Sequence, residues 1–282
     1  MNRDEQLQWE ARWALPAAIA AFVAGAMLLV SGLLFIPDDR NGIEPNPDIL
    51  LSIHEQSGAY LTSAVLAAIA SVILIAVFLY LFRATISRAP VIPRWFIYLV
   101  VGGPILYAIA TVLGALDAID IGDEFAGGSP IRGQAGEDRA RDLGGSSGLL
   151  VGLSTAGTIG MAFLFVMLPL RARRVGLLTP FMGILGVVAG ALIVFRGQLP
   201  GLATVLQAFW LGALGVLMAG RWPGGRGPAW ASGRAEAWPT AAQRRGTVPM
   251  PGEAEEATLD PTPPEPEPVP QRPKSRKRRR KG

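Results

Sequence analysis

The sequence contains no cysteine and a single histidine, His54. The first absence excludes disulfide frameworks, thiolate metal sites, thiol nucleophiles and cysteine lipidation; the second removes HExxH sites and multi-histidine metal clusters. Charge is scarce as well. Asp, Glu, Lys and Arg make up 17% of the 282 residues against 50% hydrophobic, and the mean hydropathy is +0.36. Lysine is confined to Lys274, Lys277 and Lys281, a usage that, with abundant Ala and Gly, fits a GC-rich bacterial genome. What is present instead is apolar sequence in blocks of about 20 residues, which is the pattern of an integral membrane protein.

Six stretches lack any Asp, Glu, Lys, Arg or His: Trp13 to Ile36, Ala59 to Phe82, Phe96 to Leu116, Leu149 to Leu170, Leu177 to Phe195 and Leu202 to Gly220. Each reaches the roughly 17–25 residues that a helix needs to cross about 30 Å of hydrocarbon. Lipid offers no partner to exposed backbone N–H and C=O groups, so such spans must be helical, and runs that are continuously apolar do not suit a barrel. The sequence therefore predicts an all-α, polytopic protein: residues 1–12 as an N-terminal segment, 13–220 as a six-helix transmembrane domain, and 221–282 as a tail. The first span is too long for a signal peptide and its flank carries Asp4, Glu5 and Glu10, so it reads as a retained helix. Pro16 and Pro180 are expected in the first turns of their spans, where a missing N–H costs nothing.

Orientation follows from the short loops. Arg83, Arg88 and Arg94 lie between spans two and three, and Arg171, Arg173 and Arg174 between spans four and five, with no acid in either loop. The positive-inside rule puts these loops in the cytoplasm of a bacterial cell, and an even number of spans then puts both termini there. The remaining long connections are acidic: residues 37–58 carry five acids beside Arg40, and residues 117–147 carry seven beside Arg132, Arg139 and Arg141.

From Arg221 onward the composition changes, with 12 of the 23 prolines and 13 of the 26 basic residues against 7 of the 22 acids, a net +6. No apolar run there is long enough to bury a core, so disorder is expected. The Pro-Glu stretch from Pro261 to Pro270 favours polyproline II and ends in a basic cluster of Lys274, Arg276, Lys277, Arg278, Arg279, Arg280 and Lys281. Such a cluster binds anionic headgroups or phosphates at about 1 kcal/mol per residue near a surface. Tethered at a membrane, it meets lipid before nucleic acid. Trp222, Trp230 and Trp238, eight apart, are expected to anchor at the interface.

Among groups with chemical potential, Asp117, Asp120 and Glu124 fall at i, i+3 and i+7 and share a face if the third helix continues past Leu116. With His54 and Glu55 they form a candidate ion or proton site, weighed against a plainly solvated helix end. No catalytic residue, cofactor or metal ligand set is expected. The nearest serine motif, Gly152-Leu-Ser154-Thr-Ala-Gly157, lacks GxSxG spacing and reads as helix packing through small residues, as do Gly186 and Gly190. Pro104, after Gly102 and Gly103, is mid-span and predicts a kink.

Leu79-Tyr80-Leu81-Phe82-Arg83, Leu168-Pro-Leu-Arg171 and Arg174-Val-Gly-Leu-Leu-Thr-Pro180 leading to Gly183 and Gly186 resemble a six-helix actinobacterial membrane family of unknown function. The resemblance implies the topology and no activity. The sequence thus supports two functional expectations. One is a membrane-anchored scaffold or adaptor whose cytoplasmic tail binds anionic lipid or a protein partner; the alternative is a permease for a small or lipophilic solute, with membrane lipids as partners in either case.

Overall fold

The computed structural model describes residues 2–35, 46–90, 92–129, 132–144, 148–195, 200–223 and 225–239. The basic cluster from Lys274 to Lys281 and the Pro-Glu stretch lie outside the described residues. Among those described, all regular structure is helical: α1 (Arg3–Leu34), α2 (Pro47–Glu55), α3 (Ser57–Arg88), α4 (Phe96–Ala126), α5 (Gly133–Leu143), α6 (Gly148–Arg174), α7 (Pro180–Val194), α8 (Pro200–Met218) and α9 (Pro228–Ser232). Five of these, α1, α3, α4, α6 and α8, are long and apolar enough to cross a membrane.

The expected fifth span, 177–195, is shorter as a helix than as an uncharged run. α7 has 15 residues, about 22 Å at 1.5 Å per residue, against about 30 Å of hydrocarbon. Its start is fixed by a cap: the Thr179 hydroxyl accepts from the Met182 backbone N–H at 3.1 Å, and Pro180 follows at the first helical position. Leu177 and Leu178 are therefore spent on the turn before it.

At the N-terminus the structure corrects the reading in the other direction. Asn2 caps α1 by accepting from Arg3 N, while the Glu5 carboxylate accepts from Asn2 N at 3.0 Å, a reciprocal capping box. The helix thus begins ten residues before the apolar run. Pro16 is consequently inside α1 and not in its first turn, so the hydrogen bond that would reach the Arg12 carbonyl is absent there. Pro104 likewise lies inside α4, which continues from Phe96 to Ala126.

The six apolar helices form a ring in chain order. α1 packs on α3 and α8, α3 on α4, α4 on α6, α6 on α7, and α7 on α8, with a lighter contact between α3 and α6 across the middle. The side chains are arranged in the sense a lipid solvent demands. On α1, Ala14, Ala17, Ala18, Ala21 and Ala24 face inward and are buried, while Trp13, Leu15, Ile19, Phe22 and Leu33 point outward, with Leu15 61% and Leu33 65% exposed. In water these outward chains would form a large apolar patch of a kind soluble monomers avoid. In lipid they cost nothing, and the small inward residues let the helix backbones approach. The fold is that of an integral membrane protein.

Close approach is tightest around α6 and α7. A Cβ added to Gly190 would sit 2.8 Å from the Ala162 carbonyl oxygen, whereas one on Gly102 would meet nothing within 4 Å. Gly190→Ala is therefore expected to destabilise the bundle by about 1–3 kcal/mol through overpacking, and Gly102→Ala to leave it unchanged or slightly more stable. Thermal unfolding of the detergent-solubilised protein separates the two, and equal melting temperatures would show that α6 and α7 do not pack as described.

The tail expectation also changes. Residues 225–238 are not a free chain: they carry α9 and fold back on the helix ends, with Trp230 only 5% exposed. The compact unit runs from Met1 to Trp238. Composition hid this because the segment buries one tryptophan, Trp230, and half-buries another, Trp238, without an apolar run.

Candidate functional site

One end of the bundle gathers the start of α1, the end of α3, the α6–α7 turn, the end of α8 and the α9 segment. At its centre is a buried ion pair. Glu10 of α1 and Arg88 of α3 meet in a two-pronged arrangement, Nη1 to Oε1 at 2.6 Å and Nη2 to Oε2 at 2.8 Å, with side chains 3% and 0% exposed. The guanidinium also donates from Nη1 to the Ala84 carbonyl at 2.7 Å, and from Nε and Nη2 to the Ala229 carbonyl at 3.0 and 2.9 Å. All five N–H donors of Arg88 are thereby used. Glu10 receives a further bond from Gln6 Nε2 at 2.9 Å, one turn earlier on the same helix. A buried charge pair is tolerated only when its remaining hydrogen-bonding capacity is met, and here it is.

An aromatic stack lies against this pair. Tyr80 is sandwiched between Trp9, with ring centroids 5.6 Å apart, and Trp230, at 5.9 Å. Its hydroxyl donates to the Glu10 carbonyl at 3.2 Å. Trp230 Nε1 donates to the Leu177 carbonyl at 2.9 Å, which fastens α9 to the α6–α7 turn. Arg226 reaches the Met218 carbonyl at 2.6 Å, satisfying the C-terminal end of α8, and lies over Trp230 with its guanidinium carbon 4.9 Å from the ring centroid. Arg88 approaches the same ring at 5.3 Å.

Outside this locked core is an open cleft of about 670 Å³ lined by Arg3, Arg83, Arg88, Arg94 and Arg234, with Asn2, Gln6 and Ser87 among its polar neighbours and, among the described residues, no carboxylate. Arg88 is spent on Glu10. Arg3, Arg83, Arg94 and Arg234 are exposed; the capping box and the Arg88 pair hold the helix ends that carry the first two, and Arg94 lies in the turn that leads into α4. Arg83 lies over the Trp9 ring at 4.4 Å. Four guanidinium groups around an open cleft are suited to an anion, since each offers planar paired donors to phosphate or carboxylate oxygens.

The groups singled out in the acidic connections sit at the opposite end of α4. The helix does continue past Leu116, so Asp117, Asp120 and Glu124 belong to it. His54 joins none of the three; its Nδ1 lies at hydrogen-bond distance, 2.7 Å, from Asp123 Oδ1, and the two side chains are 45% and 58% exposed. Among the described residues, no three His, Asp or Glu side chains come together in a group that suits a metal ion. What the acidic end builds is a small apolar cluster in which α2, α4 and α5 bury Leu50, Phe125 and Ala140. Arg139 secures it by donating to the Phe125 and Glu124 carbonyls at 2.9 and 2.7 Å, the free end of α4.

No protein-family model, curated protein or solved structure matches the chain. Sequence reasoning had counted Glu10 and Arg88 only as flanking charges, 78 residues apart. The tryptophan spacing was the one visible signal that the arginine end is built, with Trp230 at its centre and Trp222 and Trp238 packed at its edge.

Proposed function

We propose that this protein is a membrane-anchored adaptor of the bacterial cytoplasmic membrane, with the arginine end and both termini in the cytoplasm. Its helices serve as the anchor, and its tail binds anionic lipid or a protein partner. The observation that carries the reading is the fastening of residues 225–238 beneath the bundle by Trp230 to Leu177 and by Arg88 to Ala229. The chain up to Trp238 is thus built onto the arginine end of the bundle. The loop arginines that set orientation stand at this same end, which supports its cytoplasmic placement.

The test compares two proteins in native membranes: the full chain, and a chain ending at Pro239, which keeps the α9 fastening intact. Crosslinking, purification and mass spectrometry of proteins and lipids are expected to give a specific partner or an anionic-lipid enrichment with the full chain that the shorter one lacks. Identical recovery from both would overturn the adaptor reading. Retained function in a cell-based assay after the cut, with loss on Pro104→Ala or Asp117→Asn, would favour the permease instead.

A further inference from the structure

Next to the arginine cleft, and sharing its two helices, runs an apolar groove of about 310 Å³ lined by Trp9, Trp13, Pro16, Ala17, Ala76, Leu79 and Tyr80. The two hollows follow one line. Along α1 the cleft takes Asn2, Arg3 and Gln6 and the groove takes Trp9 to Ala17; along α3, which runs the other way, the cleft takes Arg83 to Arg88 and the groove Ala76 to Tyr80. They meet at Arg83, whose guanidinium lies over Trp9. From Gln6 to Ala17 is 11 helical steps, about 16 Å. The trough therefore changes within one molecule's length from four exposed arginines to a wholly apolar bed of tryptophan, leucine and alanine.

A soluble anion would use only the first half of this trough, and a neutral lipid only the second. We propose that the α1–α3 trough is a binding site for one anionic phospholipid of the surrounding leaflet, its phosphate among Arg3, Arg83, Arg94 and Arg234 and one acyl chain laid along Trp9, Trp13 and Ala76. The inference rests on the membrane reading above and not on the tail. Charge complementarity selects the headgroup: the described residues that line the cleft include five arginines and no carboxylate, and the buried acid Glu10 is paired with Arg88. Trp9 stands where an interfacial ring belongs, with the Arg83 guanidinium over its ring and the apolar groove beyond it.

The experiment uses the full-length chain with Lys274, Arg276, Lys277, Arg278, Arg279, Arg280 and Lys281 each replaced by Gln, so that a failure of the tail hypothesis does not bear on the result. The purified protein in detergent is titrated with phosphatidylglycerol, with phosphatidylcholine of the same acyl chains, and with glycerol 3-phosphate as the headgroup alone, and bound ligand is counted by native mass spectrometry. Phosphatidylglycerol is expected to bind one per chain and in preference to the other two. Arg83→Gln with Arg234→Gln is expected to weaken it about 30-fold, the equivalent of ~1 kcal/mol for each arginine removed. Ala76→Phe, at an exposed position on the groove floor, fills the apolar half and is expected to weaken phosphatidylglycerol while leaving glycerol 3-phosphate unaffected. Equal binding of the two lipids, or indifference to both sets of substitutions, overturns the proposal. So does tight binding of glycerol 3-phosphate with no effect of Ala76→Phe, which would make the cleft a site for a soluble anion.

Discussion

Arg88→Ala is expected to destabilise the protein by about 3–5 kcal/mol, the cost of leaving a buried carboxylate without its partner. The size follows from the geometry. Glu10 is 2% exposed, so water cannot replace the lost guanidinium, and the substitution also removes the tie between α3 and the Ala229 carbonyl. Glu10→Leu with Arg88→Met replaces both charges with apolar side chains of similar bulk and is expected to recover most of the loss. The carbonyls left behind keep partners of their own, as Ala229 still accepts from Gly233 N at 3.2 Å. Chemical unfolding in detergent measures all three proteins. A single variant within about 1 kcal/mol of wild type would mean that the pair is solvated, contrary to its burial.

Trp230→Ala should have an effect of similar size and a different character. Truncating a buried tryptophan costs about 3–5 kcal/mol, and this one also gives up its stacking with Tyr80 and its donor to Leu177. Because α9 lies on the end of the bundle and not within it, the loss is expected to release residues 225–238 locally before the helices separate. Arg226 and Arg234 then become trypsin sites. Limited proteolysis is expected to cut there many times faster in Trp230→Ala than in wild type, with the fragment from α1 to α8 surviving. Trp230→Phe keeps a ring but orphans the Leu177 carbonyl, a cost of about 1–3 kcal/mol, and should fall between. Unchanged cleavage would show that Trp230 does not hold the segment.

The long helices were legible from sequence because lipid selects them by one property, unbroken apolarity over a sufficient length, which a single chain displays openly. Where the reading missed, a local signal had been weighed less than that global one. Thr179-Pro180 is a helix start written in the sequence, yet the uncharged Leu177 and Leu178 drew the span past it. Asn2 with Glu5 is a capping box, and it placed the beginning of α1 well before the first apolar residue. The candidate site was hidden for a different reason. Glu10, Tyr80, Arg88 and Trp230 come from three separate parts of the chain, and in one sequence nothing couples them; each looked like an ordinary flanking charge or interfacial ring. His54 shows the same limit, since its neighbour Asp123 lies in the very acidic run that was singled out and yet is none of the three residues chosen from it.

The proposed cytoplasmic placement and the proposed lipid site require one arrangement: that the arginine end and the acidic end lie on opposite sides of a membrane. The natural absence of cysteine makes this directly measurable. Ser87→Cys and Arg234→Cys mark the first end, and Asp120→Cys and Asp138→Cys the second, each introduced singly and labelled with a membrane-impermeant maleimide in right-side-out and inverted vesicles. The first two are expected to label only in inverted vesicles and the last two only in right-side-out ones. Labelling of both pairs from the same side would contradict this arrangement.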